Sequence, residues 1–435
     1  MANIRSNDQT FLSAHFRRIS EKQCEKIHWA SLEVMERTGV RMYEQEAIDL
    51  VRKAGAHVSD GNRVRIAPGL VEQAFTPVPK RVVLCDRMGN RVMPIEGHRS
   101  FYGPGSDCLN IIDHRTDERR SPVLKDIVEG MTLADALPNI DFVMSMVLPV
   151  DVPQMVADRY QMEAMLSNTT KPIVFATTEF SGCADAVEMA EAVAGGPDAL
   201  RLNPFVACYI NVTTGLRHNQ EALQKLLYLA DKRLPAFYIT VALGGATAPV
   251  TVAGCQVVWN VGALVGLVVS QLKREGAPFV MAGWGSGALD MRTMIQPYAD
   301  PDRRGVAEAM SHFYGLPMFS LAGCSDSKCL DEQAGIEAAL TLAITSLSGG
   351  HIVHDVGYVE SGLCYSLAQL VICDEILGWL EHGLGGVDVS DEALAVDLID
   401  RIGPDGQFMD CSHTLDHFRS RWYPNLFDRQ NHDGW

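Results

Sequence analysis

From residue 100 onward the apolar positions of this chain alternate between two rhythms. Short runs rich in β-branched and aromatic residues recur at 100–103, 142–148, 172–176, 205–211, 236–241, 279–283, 318–322 and 351–356. Between them, and after the last, apolar positions repeat every three to four residues over 124–136, 157–168, 184–194, 219–232, 250–274, 303–314, 331–348 and 366–384. The first rhythm predicts strands and the second helices. In the 331–348 helix, Ile336, Leu340, Ile344 and Leu347 recur at helical spacing. Asp331 and Glu332 stand in its first turn, where the helix dipole favours negative charge. The 366–384 helix opens with Ser366 and Gln369 at capping-box spacing. Eight strands, each followed by a helix, is the count of an α/β fold of the (β/α)8 TIM-barrel type, whose ligands bind at the carboxyl ends of the strands. Alternation alone is also compatible with an open doubly wound sheet; the count of eight favours the barrel.

Outside 97–385 the pattern changes. Residues 1–96 predict a small N-terminal α+β lead-in that braces the barrel. It holds an amphipathic helix at 20–38 (Ile27, Leu32, Val34 and Met35 apolar, Gly39 at its end), a helix at 44–54, a strand at 63–66, and a hairpin whose arms, 81–85 and 90–94, flank Met88-Gly89. Residues 386–435 predict a helix at 391–401 followed by irregular, aromatic-rich chain packed on the outside of the barrel.

The 435 residues, 47% hydrophobic, allow a large core. A net charge of -17 argues against nucleic acid and anionic membrane as partners. No uninterrupted apolar run reaches the length of about 18 that a membrane span needs; the longest candidate, 257–272, is broken by Asn260 and Gly262. The first 18 residues mix charged and polar positions and lack the apolar run of a signal peptide. Eleven cysteines without a paired framework suit reduced thiols, hence a cytoplasmic protein. Cys183, Cys208, Cys255 and Cys373 sit in apolar runs and read as small buried hydrophobes. There is no Walker loop, and Gly283-Trp-Gly-Ser-Gly287 reads as a tight strand-end turn, since no dinucleotide-type helix opens after it.

On a barrel, the strand ends enumerate the candidate site. Tyr102-Gly-Pro-Gly-Ser-Asp107 follows the first strand, Thr177-Thr-Glu179 the third and Asn211 the fourth; Gly244, Gly245 and Thr247 follow the fifth and Trp284 the sixth. Ser325-Asp-Ser-Lys328 follows the seventh, and Tyr358 and Glu360 follow the eighth. Tyr102, Trp284 and Tyr358 offer aromatic faces, and Asp326 and Glu360 are the candidate catalytic acids. Aromatic faces beside a carboxylate are what an ammonium group needs; the competing reading of each ring is packing at the barrel mouth. Asn211, Lys328 and His354 complete the candidate substrate-binding set. Repeated glycines let a large group approach the backbone. Cys324, Cys329, His351, His354 and Cys364 have the letters of a zinc site but not its spacing, and no tightly bound metal is expected. A Ser-His-Asp hydrolase reading lacks a nucleophile elbow.

At Gly323-Cys-Ser-Asp-Ser-Lys328, Asp331-Glu-Gln333 and Gly357-Tyr-Val-Glu-Ser-Gly362 the chain resembles the trimethylamine methyltransferase superfamily, and Gln369-Leu-Val-Ile-Cys-Asp-Glu-Ile376 and Leu426-Phe-Asp-Arg429 extend the match. The resemblance runs from about Glu21 to the end. It implies a TIM-barrel methyltransferase that moves a methyl group between a methylated amine and the cobalt of a corrinoid protein. Members acting on trimethylamine carry pyrrolysine. This chain has only standard residues, so it resembles the branch that demethylates quaternary amines such as glycine betaine. Family members usually continue beyond the position of Trp435. The resemblance also implies a cobamide presented by a separate corrinoid protein docking at the mouth, with Gly103, Gly244, Gly245, Gly283 and Gly285 as the cofactor-facing positions. A homo-oligomer is expected. Direct methyl transfer to tetrahydrofolate or a thiol, and a non-catalytic quaternary-amine binding protein, are the alternatives.

Overall fold

The computed structural model describes residues 15–283, 285 and 287–435. Its centre is a seven-stranded parallel sheet: β1 (Phe101–Tyr102), β2 (Ile173–Ala176), β3 (Val206–Val212), β4 (Ala236–Thr240), β5 (Phe279–Ala282), β6 (Met318–Leu321) and β7 (Ile352–His354). The spatial order is β1-β7-β6-β5-β4-β3-β2, that of a parallel half-barrel. Strands covered on both faces need nearly continuous apolar sequence, and β3 and β4 bury every residue but Asn211. Tyr209 on β3 reaches Phe319 on β6, with ring centroids 5.5 Å apart, and Phe319 stacks on His354 of β7 at 4.0 Å. Rings from strands that are not neighbours can meet only inside the curve. The interior is thus filled beneath the carboxyl ends of the strands.

The helices follow the predicted pattern, two of them residue for residue at Leu124–Ala136 and Ala157–Asn168. The helix expected from 303 begins instead at Ala307. A short turn at Pro301–Arg303 and the left-handed Gly305 (φ 78) stop it from extending backward. The most apolar helix, Val252–Lys273, is mostly buried and packs against the N-terminal helix Glu21–Arg37. Asn260, within it, donates to Ser31 Oγ at 2.9 Å and to Tyr314 Oη at 2.7 Å.

The expectation of eight regular strands is corrected at 142–148. Val143 N–H donates to Pro172 O at 2.9 Å on the β2 side, and Asp141 N–H donates to Tyr102 O at 2.7 Å on the β1 side. The segment therefore touches both edges of the sheet, but left-handed Met146 (φ 65) turns it away before a ladder can form. A second sheet went unpredicted: Tyr358–Val359, Cys364–Ser366, Asn110–Ile112 and Arg119–Arg120 lie side by side and tie the turn after β1 to the turn after β7. Strands this short carry no periodic signal.

Residues of the N-terminal segment are stitched to the connections of the parallel sheet. Val40–Met42 pairs antiparallel with Arg63–Arg65 and parallel with Arg217–His218, from the loop after β3. The predicted hairpin forms between Val82–Cys85 and Arg91–Ile95 and reaches the amino ends of the strands, where Cys85 N–H donates to Pro204 O at 2.8 Å. At the other end of the chain, Ala395 (φ 52) splits the expected 391–401 helix into Asp391–Leu394 and Val396–Ile402, neither of which buries a residue.

Candidate active site

At the carboxyl ends of β2, β3 and β4 lies a cavity of about 810 Å³, with Asp107, Glu179, Tyr209, Asn211 and Lys225 in its wall. Tyr209 and Asn211 are two apart on β3 and share its inward face, because side chains alternate along a strand. Lys225 donates to the carbonyls of Thr177 and Thr178 and so fixes the turn after β2.

Asp107 and Asp355 stand in the turns after β1 and β7, which are neighbours in the sheet. Both have left-handed backbones (φ 68 and 69), a conformation that side chains other than glycine's rarely adopt. Strain of this kind persists where the surroundings enforce it, and it gathers at functional sites. Asp107 is open to the cavity although it lies deep within the protein mass. Burial raises its carboxyl above the usual range, opposed by Ser106 and Lys225. Asp355, in the turn of the neighbouring strand, is 4% exposed. Burial raises that carboxyl well above its ordinary value and the charge of Asp107 adds to the effect, while Arg303, Arg304 and a bond from Tyr358 oppose it. A Cβ on Gly105 would collide with Asp355 Oδ1 and Tyr358 Oη, so glycine is what lets these groups meet.

Three tyrosines surround the acids. Tyr298 stacks on Tyr358 with centroids 6.4 Å apart, and the guanidinium of Arg303 lies 5.1 Å from the Tyr298 ring centre. The hydroxyls of Tyr209, Tyr298 and Tyr358 are all raised, by burial first, with Asp355 contributing to each. They are neutral rings facing acids.

The predicted residues divide. Asn211 is in the cavity wall and Tyr358 is in the group with Asp355. Trp284 lies outside the described residues. Asp326 and Glu360, expected as the catalytic acids, lie on one side of the sheet but are committed to structural bonds. Asp326 accepts from Tyr298 N–H (2.7 Å), Ala299 N–H (3.2 Å) and Ser361 Oγ (2.7 Å), which pins the loop that carries Tyr298. Glu360 accepts two bonds from Arg119, at 2.7 and 3.2 Å, and braces the second sheet. Tyr102 points away from the cavity: its hydroxyl bonds Ser346 Oγ at 2.6 Å, and its ring lines a separate outer hollow. Lys328 is exposed and reaches the backbone oxygen of Asp326 at 2.7 Å. His354 is buried beneath the site, where its Nδ1–H donates to Ser320 O at 2.5 Å and its Nε2 lies 3.4 Å from Asp355 Oδ1. It supports Asp355 and does not face the cavity.

The glycines expected to face the cofactor are packed against the protein's own atoms to different degrees. A side chain on Gly103 would meet Phe142, one on Gly283 Met318, one on Gly285 Gln256, one on Gly245 Met291, and one on Gly244 the backbone of residues 287–288. The protein's own atoms fill the space these glycines leave. Among the described residues, no three His, Cys, Asp or Glu side chains are placed to hold a metal ion.

Sequence reasoning named Asp107 only as part of a turn and missed Asp355, Tyr209 and Tyr298. Tyr209 was within reach, since it shares a strand face with Asn211. Tyr298 comes from an irregular loop that carries no pattern.

The family model described as trimethylamine methyltransferase matches residues 6–435. The chain is 32% identical over 421 residues to a trimethylamine methyltransferase of Desulfitobacterium hafniense, covering 96% of this chain and 84% of that protein. It is 27% identical over 423 residues to a glycine betaine methyltransferase of the same species, covering 96% and 88%. Among solved structures, the monomethylamine methyltransferase of Methanosarcina barkeri superposes with a TM-score of 0.54 at 12% identity, over 94% of this chain and 88% of that one, which is a likeness of fold.

Proposed function

The chain belongs to the trimethylamine methyltransferase family, and on that premise we propose that it transfers a methyl group from a small quaternary amine, glycine betaine first, to the Co(I) of a corrinoid protein docking at the mouth. The observation that carries this reading is the cavity wall itself, where Asp107 and the Tyr209 ring face a space sized for a small molecule.

A quaternary ammonium is already cationic and departs as a neutral amine, so the leaving group needs no proton donor. The work left to the protein is to hold the cation, orient one methyl outward and exclude water. Tyrosine faces and one carboxylate hold a cation well. Stronger attraction would slow transfer, because the charge disappears as the methyl leaves.

A side chain at Gly103, Gly245, Gly283 or Gly285 would meet the protein's own atoms, which supports a macrocycle carried by a partner. On this reading the partner brings it, and the reduced cobalt is the nucleophile that accepts the methyl. Exposed Leu109, Val150, Met155, Val250, Met291 and Met294, all in turns at the carboxyl ends of the strands, support a docking rim. The bonds of residues 141–143 to both sheet edges support closure of the barrel with 142–148 as its eighth stave. Exposed Leu394, Ile399, Leu415 and Phe427 in the C-terminal segment support a homo-oligomer, and the many free thiols a cytoplasmic setting.

The test is anaerobic incubation of the pure protein with Co(I) cobalamin and a panel of methylated amines, following methylcobalamin by absorbance. Methylcobalamin formed from glycine betaine or another quaternary amine is the expected result. Product from trimethylamine alone would move the substrate to that of the 32% identical relative. Demethylation supported by tetrahydrofolate without cobalt would replace the acceptor, and retention of unchanged amine would make the chain a binding protein.

A further inference from the structure

One carboxylate suffices to hold a cationic amine, yet the turns after the neighbouring strands β1 and β7 carry two acids. We propose that Asp107 and Asp355 form a carboxyl pair that carries a single proton at neutral pH, so that the cavity presents one negative charge to the cationic amine. This rests on the cation reading above and adds what sets the strength of its grip.

The geometry supports the pair from both sides. Asp107 lines the cavity and Asp355 is buried, both held in left-handed turns after adjacent strands. Gly105 leaves the volume that Asp355 Oδ1 and Tyr358 Oη occupy. A second full charge at this depth would face the first across a medium that screens it poorly, so one member keeps its proton. The upward pull on Asp355 outweighs both nearby arginines, and Arg304 is already engaged with the carbonyls of Leu321 and Tyr298 and with Cys324 Sγ. The proton belongs on Asp355, the more enclosed of the two, where His354 Nε2 at 3.4 Å is placed to accept it; His354 Nδ1–H is already turned to Ser320 O. Burial holds His354 neutral, down at about 3, so it can accept a hydrogen bond without taking the charge.

The charged neighbours are Arg303, Arg304 and Lys225; the thiols and phenols around the pair do not carry charge near neutrality. Cys108 from the β1 turn, Tyr209 from β3 and Tyr298 from the loop after β5 are all raised by burial. So are Cys324 from the β6 turn and Tyr358 and Tyr365 from the chain after β7. Lys225 acts on the Asp107 side, where it favours the charged form. The result is an asymmetric pair: Asp107 ionised toward the amine and Asp355 neutral and buried. Such a pair titrates as a unit, with one ionisation below and one above the working pH. Each step changes the charge seen by the bound cation by one.

The consequence is read on the protein alone, with tetramethylammonium as the probe and neutral tert-butanol as the uncharged control, by titration calorimetry across pH. Wild-type affinity for tetramethylammonium should fall on the acid side as Asp107 is protonated and rise on the alkaline side as Asp355 ionises. Asp355→Asn should keep its neutral-pH affinity within about threefold and lose only the alkaline rise, while Asp107→Asn should lose tenfold or more. Persistence of the alkaline rise in Asp355→Asn, or a tenfold loss at neutral pH in that variant, would overturn the pair. As a second measurement that needs no ligand, the infrared difference spectrum of wild type minus Asp355→Asn at neutral pH should contain the C=O band of a protonated carboxyl, over the bands of other buried acids such as Asp141 and Glu308 that cancel in the difference; its absence from that difference would also refute the assignment. If instead the wild type takes up tert-butanol as readily as tetramethylammonium, the cation reading fails and the pair's role fails with it.

Discussion

Both ends of the sheet bury titratable groups, and burial neutralises them at both, but the two ends use that neutrality differently. At the floor, His98 stacks on His312 with centroids 4.1 Å apart, and His312 meets the edge of His351 at 5.5 Å. Burial lowers all three imidazoles to about 4. His351 and His312 find their partners in the backbone. His351 Nδ1 accepts from Met318 N–H at 3.2 Å, so its proton is on Nε2, donated to Gly97 O at 2.7 Å; His312 Nε2–H reaches Gly349 O at 3.0 Å. At the mouth, Asp107 in one strained turn lines an open cavity, and the buried Asp355 sits in the strained turn of the neighbouring strand. A displaced pKa therefore does not by itself mark a site. What separates mouth from floor is the conjunction of displaced acids with positive φ, tyrosine faces and the larger space, about 810 Å³ against about 340 Å³ beside His98 and His312.

The largest effect that tests this contrast is acid sensitivity of the floor. These bases titrate lower in the folded chain than at the ordinary 6.5, so below about pH 6.5 the unfolded chain binds more protons and stability falls as pH drops toward 4. Fully buried His351 alone accounts for about 3 kcal/mol over that span, with smaller shares from the partly exposed His98 and His312. Denaturant unfolding between pH 7 and 4.5 should show this slope, and His351→Gln should flatten it while leaving activity at pH 7.5 close to wild type. A comparable loss of turnover in that variant would mean the floor is not the passive region described.

The mouth should behave in the opposite way. Asp107→Asn should lower kcat/KM for the quaternary amine about 100-fold, ~2.7 kcal/mol of barrier, with little change in unfolding free energy, because the side chain faces a cavity and not a packed core. An unfolding loss of similar size would make Asp107 a structural residue like the floor histidines. Asp326→Ala comes next. Removing the acceptor of two N–H groups and a hydroxyl should free the loop carrying Tyr298 and raise KM about tenfold with a smaller change in kcat. A kcat effect with unchanged KM would return Asp326 to the catalytic role expected from its position in the chain.

Much of this architecture was legible because strands and helices carry their periods in the sequence. All seven ladder strands and the helices after them lie where apolar spacing puts them. Positions that a period does not govern were harder. The 142–148 run has strand composition, but one left-handed residue, Met146, turns it out of the ladder. Asp326 and Glu360 are acids at strand ends, as a site acid would be, and only the bonding of Tyr298, Ser361 and Arg119 shows that they are braces. Glycines read as an open approach for a large group proved to be close contacts with Phe142 and Met318. Composition says that room exists beside a glycine; it does not say who fills it.

The smallest predicted effect tests that same limit at Tyr102, the ring that the sequence placed with Tyr358. Both follow the site's strands, both have raised hydroxyls, and Tyr102 is held at about 12 by burial. They differ in the direction they point. Tyr358 Oη lies with the Asp355 carboxyl beside Gly105, whereas Tyr102 Oη bonds Ser346 on the helix Glu332–Leu347, outside the sheet. Tyr102→Phe removes one hydrogen bond and leaves Ser346 with its own bond to Leu342 O at 2.6 Å, so the cost should be about 1 kcal/mol of stability, with kcat/KM unchanged. Tyr358→Phe makes the matching control: the ring and its cation-facing surface remain, but the hydroxyl beside Asp355 is removed, so the pH dependence of amine affinity should shift where Tyr102→Phe leaves it in place. If both variants moved that profile equally, the outer hollow would communicate with the mouth, and the separation of the two rings drawn from their hydrogen bonds would be wrong.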